Sequence, residues 1–267
     1  MLKLVLDHLQ TSSTFEVGLF FLLLNVCIFI VSVGGCWLVA RCFRHRQVLS
    51  SFQPFQLLEL IAALIAVFLN AVISVVGWWL WREGSIQLTD RSGTGIVFDS
   101  LVMVAFMDIV MYFGHRLVHV PLLYPAVHRF HHRHEKTNPL SLFVLHPLEV
   151  LGFGTAMISF LLLYPISPQG LVIYLTLNLI FGTLGHCGVE PFPVWLSRIP
   201  ILNLLGTSTF HAEHHEDQRY NFGFYTLFWD WLFQTLDPDY RIRYRNPSRY
   251  LIRRTHSDPD PAHHDDR

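Results

Sequence analysis

The sequence predicts an all-α integral membrane protein, with about four transmembrane helices or helical hairpins and a cytosolic helical cap carrying a histidine-rich metal site. Three observations point there. Of 267 residues, 52% are apolar and only 15% are charged, against about 25% charge in an ordinary soluble domain. The apolar residues gather into long runs with few charges, and the mean hydropathy is +0.38. Sixteen histidines are present, and eleven fall between His115 and His215.

Several classes drop out at once. A disordered chain, a coiled coil and an ordinary cytosolic domain do not fit this composition. The 19 Lys and Arg balance 20 Asp and Glu for a net charge of −1, which argues against a general nucleic-acid binder. The cysteines (Cys27, Cys36, Cys42 and Cys187) show no CxxC pairing, so neither a disulfide framework nor a thiolate metal site is expected. Any metal would be bound by imidazole.

A bilayer-spanning helix needs about 20 mostly apolar residues. Residues 15–40 form such a run with one charge, Glu16, and read as an anchor that is not cleaved. Residues 55–81 form the second, charged only at Glu59 and ending in Trp78, Trp79 and Trp81, which suit a membrane interface. The third, residues 96–114, carries Asp99 and Asp108. Residues 150–164 and 170–185 are uncharged, short for full spans and separated by Pro165-Ile166-Ser167-Pro168. They predict a hairpin that dips into or just crosses the bilayer.

With the loop after the first span inside, 16 of 19 basic residues fall inside, leaving Lys3, Arg82 and Arg91 outside. The positive-inside rule therefore puts the histidine clusters on the cytosolic side of a bacterial inner membrane or the endoplasmic reticulum. Three regions result: N-terminal membrane helices over 1–95, a catalytic domain over 96–240, and a tail over 241–267. That tail is first basic and then polar, Pro-broken and expected to be disordered.

The histidines form three clusters: His115-x-x-x-His119, His128-x-x-His131-His132 and His211-x-x-His214-His215. On a helix, positions i, i+3 and i+4 share a face, so each cluster can aim two or three imidazoles at one point. Eight nitrogens exceed what one ion uses while keeping positions open, which favours two metals. His186 sits at the same depth and is a ninth candidate ligand; His146, opening the hairpin, is a further one. Asp108, seven residues before His115, and Glu190, just beyond His186, are candidates for orienting ligands. All-imidazole ligation suits iron, copper, nickel or zinc.

HRLVH at 115–119, HRFHH at 128–132, HPLE at 146–149, GHCGVEPFP at 185–193 and HAEHHEDQRYNFGFYTLFWD at 211–230 resemble the fatty acid hydroxylase superfamily. The superfamily includes sterol desaturases and sterol methyl oxidases, and the resemblance covers about 98–240. It implies a non-haem di-iron oxygenase that uses O2 to hydroxylate or desaturate a lipid C–H bond. By motif match the eight clustered histidines would be iron ligands, joined by His186. Where some relatives have a second histidine one turn after His186, this chain has Glu190. Relatives often read Trp-Asp-Arg-x-x-Gly-Thr; this chain has Trp231 for the Arg and Gln234 for the Gly.

Electrons would come from an external donor of ferredoxin or cytochrome b5 type, since no cluster motif or dinucleotide fingerprint is present. Arg241, Arg243 and Arg245 are candidates to hold either that donor or anionic membrane lipids. The substrate, sterol-like or fatty acyl, would enter laterally from the bilayer. The competing readings are a membrane histidine–zinc metallohydrolase and a metal-binding or transport protein.

Overall fold

The computed structural model describes residues 2–52, 54–133 and 137–247. The segment read as a disordered tail, 256–267, lies outside them, as do His134, Lys136, Arg249, Arg253 and Arg254.

Nine α-helices run through the described residues, and no strand forms among them. A short helix the sequence reading did not foresee, α1 (Leu2–Thr11), precedes α2 (Thr14–Cys42). Ser13 starts α2 with a reciprocal capping box: its hydroxyl accepts the Glu16 N–H, and the Glu16 carboxylate accepts the Ser13 N–H. The one charge in the first apolar run is thus a cap. Next come α3 (Leu57–Arg82), α4 (Thr94–Val118) and the hairpin of α5 (Pro147–Leu163) and α6 (Pro168–Gly185).

Helices α2, α3, α4 and α6 are long and apolar enough to cross a membrane, while α5 is a shorter apolar helix. Helix α6 reaches 18 residues because Ser167 caps it and Pro168 occupies its first turn, where a missing N–H costs nothing. Leu163, at 82% exposure, is typical of the apolar side chains that line the outside of the bundle, a surface suited to lipid.

The bundle has two chemically different ends. At one end, the turn between α5 and α6 meets the α3–α4 loop: Thr89 donates its N–H to the Ile166 carbonyl, and the Asp99 carboxylate accepts the Ser167 N–H and the Tyr164 hydroxyl. A Cβ on Gly170 would lie 2.8 Å from Asp99 Cβ, so glycine lets α4 and α6 approach closely. At the other end, Arg46 after α2 donates to the carbonyls of Phe192 and Tyr244. All the clustered histidines lie at this second end. There the chain after α6 folds into a cap holding α7 (Ser208–Glu216), α8 (Phe228–Leu232) and α9 (Tyr240–Arg245).

Candidate metal centre

The clusters arrive on different local structures. His115 lies in the last turn of α4 and His119 is its C-cap. His128 ends a single π turn, Tyr124–His128, and His131 and His132 lie in a 3-10 turn, so this cluster is not on a continuous α-helix. Only the third cluster is wholly helical, on α7, capped by Thr207. His186 is the C-cap of α6.

Nine imidazoles are drawn into two abutting groups. The first holds His115, His119, His128, His132 and His214, and the second His131, His186, His211 and His215. In the first, Nε2 atoms close a ring: His115 to His128 3.1 Å, His128 to His132 3.1 Å, His132 to His214 3.1 Å, His214 to His119 3.1 Å and His119 to His115 3.3 Å. In the second, His211 Nε2 stands 3.1 Å from His186 and 3.2 Å from His215. Nitrogens about 2.1 Å from one ion and at right angles to each other stand about 3.0 Å apart. The spacing is that of neighbouring ligands on a shared ion.

The far side of the rings fixes which nitrogen is free. A backbone carbonyl can only accept, so His115 Nδ1 donates to Phe222 at 2.9 Å, His131 Nδ1 to Val144 at 3.1 Å and His214 Nδ1 to Tyr220 at 2.6 Å. The Ser141 hydroxyl gives its proton to the Asn138 carbonyl and accepts from His186 Nδ1 at 2.8 Å. The Glu149 carboxylate accepts from His128 Nδ1. With Nδ1 protonated, Nε2 carries a lone pair. Lone pairs converging at 3.1 Å repel unless a cation sits among them, so this donor set fits a metal in each group.

Burial also keeps the rings neutral. It lowers His119 to about 4 and His211 to about 3, and it holds His128, His132, His214 and His215 well below the ordinary value. A Cβ on Gly185 would come within 3.2 Å of the His211 ring, so the end of α6 presses directly on the second group. Beside His186 and His211 lies a cavity of about 10 Å³, room for roughly one water-sized molecule.

The remaining candidates occupy other places. His146 belongs to neither group; it is the N-cap of α5, its Nδ1 accepting the Leu148 N–H at 3.2 Å. Among the described residues, Asp108 hydrogen-bonds to no histidine ring. It accepts from Thr226 N, Thr226 Oγ1 and Trp229 Nε1, pinning the cap onto α4. Glu190 is not on α6, which ends at Gly185. Its carboxylate accepts the Thr209 N–H at 2.9 Å and hydroxyl at 2.7 Å, so it steadies the amino end of α7. Burial pushes that carboxyl up, and the Thr209 hydrogen bonds oppose the shift. Arg243 faces inward, 3.6 Å from Glu213 and 3.4 Å from Asp237.

Several supporting residues escaped the sequence reading. Glu149 was visible only within the HPLE string, and Ser141 carried no signal. Asn221, at φ 63°, accepts the Asp237 N–H and donates to the Phe210 carbonyl and Glu213. Asp230 accepts the N–H groups of Phe222 and Gly223 at 2.8 and 2.7 Å. Together they shape the segment whose carbonyls, at Tyr220 and Phe222, receive the Nδ1 protons of His214 and His115.

The chain is similar to several known lipid-modifying proteins. A 240-residue stretch is 27% identical to a Delta(7)-sterol 5(6)-desaturase of Leptosphaeria maculans, covering 87% of this chain and 62% of that protein. A very-long-chain aldehyde decarbonylase of Oryza sativa subsp. indica is 28% identical over 63% of this chain and 28% of its own. A cholesterol 25-hydroxylase-like protein of Danio rerio is 28% identical over 61% of this chain and 65% of its own. The chain thus spans between about a quarter and two thirds of the length of these relatives. No solved structure matches it significantly. The sequence model described as fatty acid hydroxylase matches residues 100–235, a little over half of the chain and the stretch that holds all nine grouped histidines; the chain belongs to the fatty acid hydroxylase family.

Proposed function

We propose that the protein is a membrane-bound di-iron oxygenase that hydroxylates or desaturates a C–H bond of a lipid, using O2 and electrons from an external donor. The observation that carries this reading is the pair of abutting, nitrogen-only groups of five and four imidazoles. A metal pair bound there supplies the oxidising power that no side chain has. Five nitrogens in one group exceed the three protein ligands of a catalytic zinc site, which disfavours the hydrolase alternative. The relatives' names, a sterol desaturase, a cholesterol hydroxylase-like protein and an aldehyde decarbonylase, support a sterol-like or fatty acyl substrate.

The chain's own residues have defined tasks. The nine imidazoles turn their ring nitrogens toward the two centres, and the carbonyls of Phe222, Val144 and Tyr220 hold three of those rings at Nδ1. Burial of His131, His132, His214 and His215 keeps bulk water from those rings. The lipid-facing helices favour lateral entry of the substrate, and the positive-inside pattern supports a cytosolic histidine end. With Arg243 engaged by Glu213 and Asp237, Arg241 and Arg245 are left as the candidates for an electron donor of ferredoxin or cytochrome b5 type, or for anionic lipid.

The test is elemental analysis of the detergent-purified protein, followed by incubation with lipid, O2 and a reducing partner. About two irons per chain, with an oxygen atom gained or a double bond formed in the lipid, is the expected result. Zinc alone with hydrolysis of an ester would overturn it.

A further inference from the structure

Two of the four second-group histidines lean on one short loop. His131 Nδ1 donates to the Val144 carbonyl at 3.1 Å, and His186 Nδ1 donates to Ser141 Oγ at 2.8 Å. The loop is tightly self-bonded. Asn138 Oδ1 accepts the N–H groups of Leu140 and Ser141 at 2.9 and 3.1 Å, and the Asn138 carbonyl accepts the Ser141 hydroxyl at 2.6 Å. Asn138 and Ser141 are both fully buried. The Asn138 side-chain amide reaches out of the loop, giving a proton to Glu59 Oε2 at 3.1 Å.

Glu59 is an unusual anchor. It lies in the first turn of α3, a membrane-crossing candidate, and is 1% exposed. A buried ionisable group in an apolar span is costly and calls for a specific role. The first turn of a helix is where a carboxylate is best tolerated, beside unpaired N–H groups. Phe143 of the same loop packs on Ala63 and Val67, one and two turns further along α3. Loop and helix are therefore joined by a polar contact and an apolar one. Residue 59 lies outside the family-matched stretch, 100–235.

We propose that Glu59 is a positioning residue for the four-histidine group. Through Asn138 and the loop ending at Val144, it sets the placement of Ser141 against His186 and of Val144 against His131. This rests on the reading that the four-histidine group holds a metal. Partners that orient metal-ligating histidines are worth about 10–100-fold in metal affinity.

The test is a chelator titration of the full-length, iron-loaded protein in detergent, read as iron retained per chain. His186→Ala identifies which phase belongs to the four-histidine group. Glu59→Ala should move that phase to about 10–100-fold lower chelator concentration and leave the other in place. Glu59→Gln, whose amide oxygen can still accept the Asn138 N–H, should restore most of it. Ser141→Ala, which cuts the last link and leaves α3 untouched, should reproduce the weakening if Glu59→Ala fails to fold. An unmoved phase in Glu59→Ala, or in Ser141→Ala where the former does not fold, would overturn the proposal. So would a Glu59→Gln protein as weak as Glu59→Ala. A wild-type protein that takes up no iron would sink the reading of the site itself, a result distinct from either.

Discussion

His131 and His132 are consecutive in the chain, yet their imidazoles serve different groups, with ring planes at 90° and centroids 5.6 Å apart. The third cluster divides in the mirrored sense. His128 and His132 join the first group and His131 the second, whereas His211 and His215 join the second and His214 the first. Each HxxHH string thus gives its i, i+4 pair to one group and its remaining histidine to the other. This cross-sharing welds the π and 3-10 turns around residue 130 to α7.

Cross-sharing makes a test possible with neighbouring residues. His131→Ala should remove a ligand from the four-histidine group and His132→Ala one from the five-histidine group. Each variant should fall to about one tightly held iron per chain and lose activity by at least about 100-fold, a loss of about 2.7 kcal/mol in barrier lowering. Iron analysis of the two purified proteins checks this. Retention of full metal and full activity by either variant would remove that residue from the ligand set.

His146 and Glu149 are close in sequence and differ in role. Glu149 joins the His146 N–H to His128 Nδ1, while the His146 ring only caps α5. Glu149→Gln should weaken iron retention by about 10–100-fold. His146→Asn, which can cap as well, should leave iron content and turnover unchanged and shift stability by less than about 1 kcal/mol. Iron content of the two variants, measured side by side, decides whether His146 acts as a cap or a ligand.

Which histidines the fold would gather was legible in the sequence because an imidazole at i, i+3 or i+4 declares its chemistry in its letter. The five apolar runs were legible for the same reason: long stretches of nearly uncharged hydrocarbon have few uses besides a membrane. The division of each HxxHH string was not legible, since it depends on the turn types at 124–133 and on how α7 is rotated. The hydrogen-bond partners of the rings were hidden more deeply. Val144, Tyr220 and Phe222 act through backbone carbonyls, which every residue has, so no letter marks them. Helix α1 was missed because ten residues ending beside Ser12 and Ser13 make a weak pattern until Leu9 and Val5 are seen against Trp78.

Acid should destabilise the metal-stripped protein. Burial holds His119 near 4 and His211 near 3, whereas an unfolded histidine titrates near 6.5. Between those values the unfolded chain binds protons that the fold refuses, so unfolding becomes easier as pH falls from about 6.5 toward 4. Thermal melts of the iron-free protein at stepped pH should show the midpoint falling across this window and level above about 7. A midpoint that rises with acid would mean that buried carboxyls such as Glu190, which burial pushes up, outweigh the histidines.

Gln234 adopts φ 57°, a left-handed conformation that costs a residue bearing a Cβ about 1–2 kcal/mol. The turn is retained because its neighbours are fixed. Thr235 donates its N–H to the Asp230 carbonyl and its hydroxyl to the Asp230 carboxylate, and the Thr235 carbonyl accepts the Asn221 N–H. Glycine, the residue that the family resemblance leads one to expect at this position, would relieve this strain at some cost in unfolded-chain entropy. Gln234→Gly should therefore stabilise the protein by about 1 kcal/mol, raising the melting midpoint by about 2–4 °C, with iron content and turnover unchanged. Differential scanning fluorimetry on the two proteins in one detergent reads the shift. A lower midpoint would mean that the Gln234 side chain contributes more than its backbone strain costs.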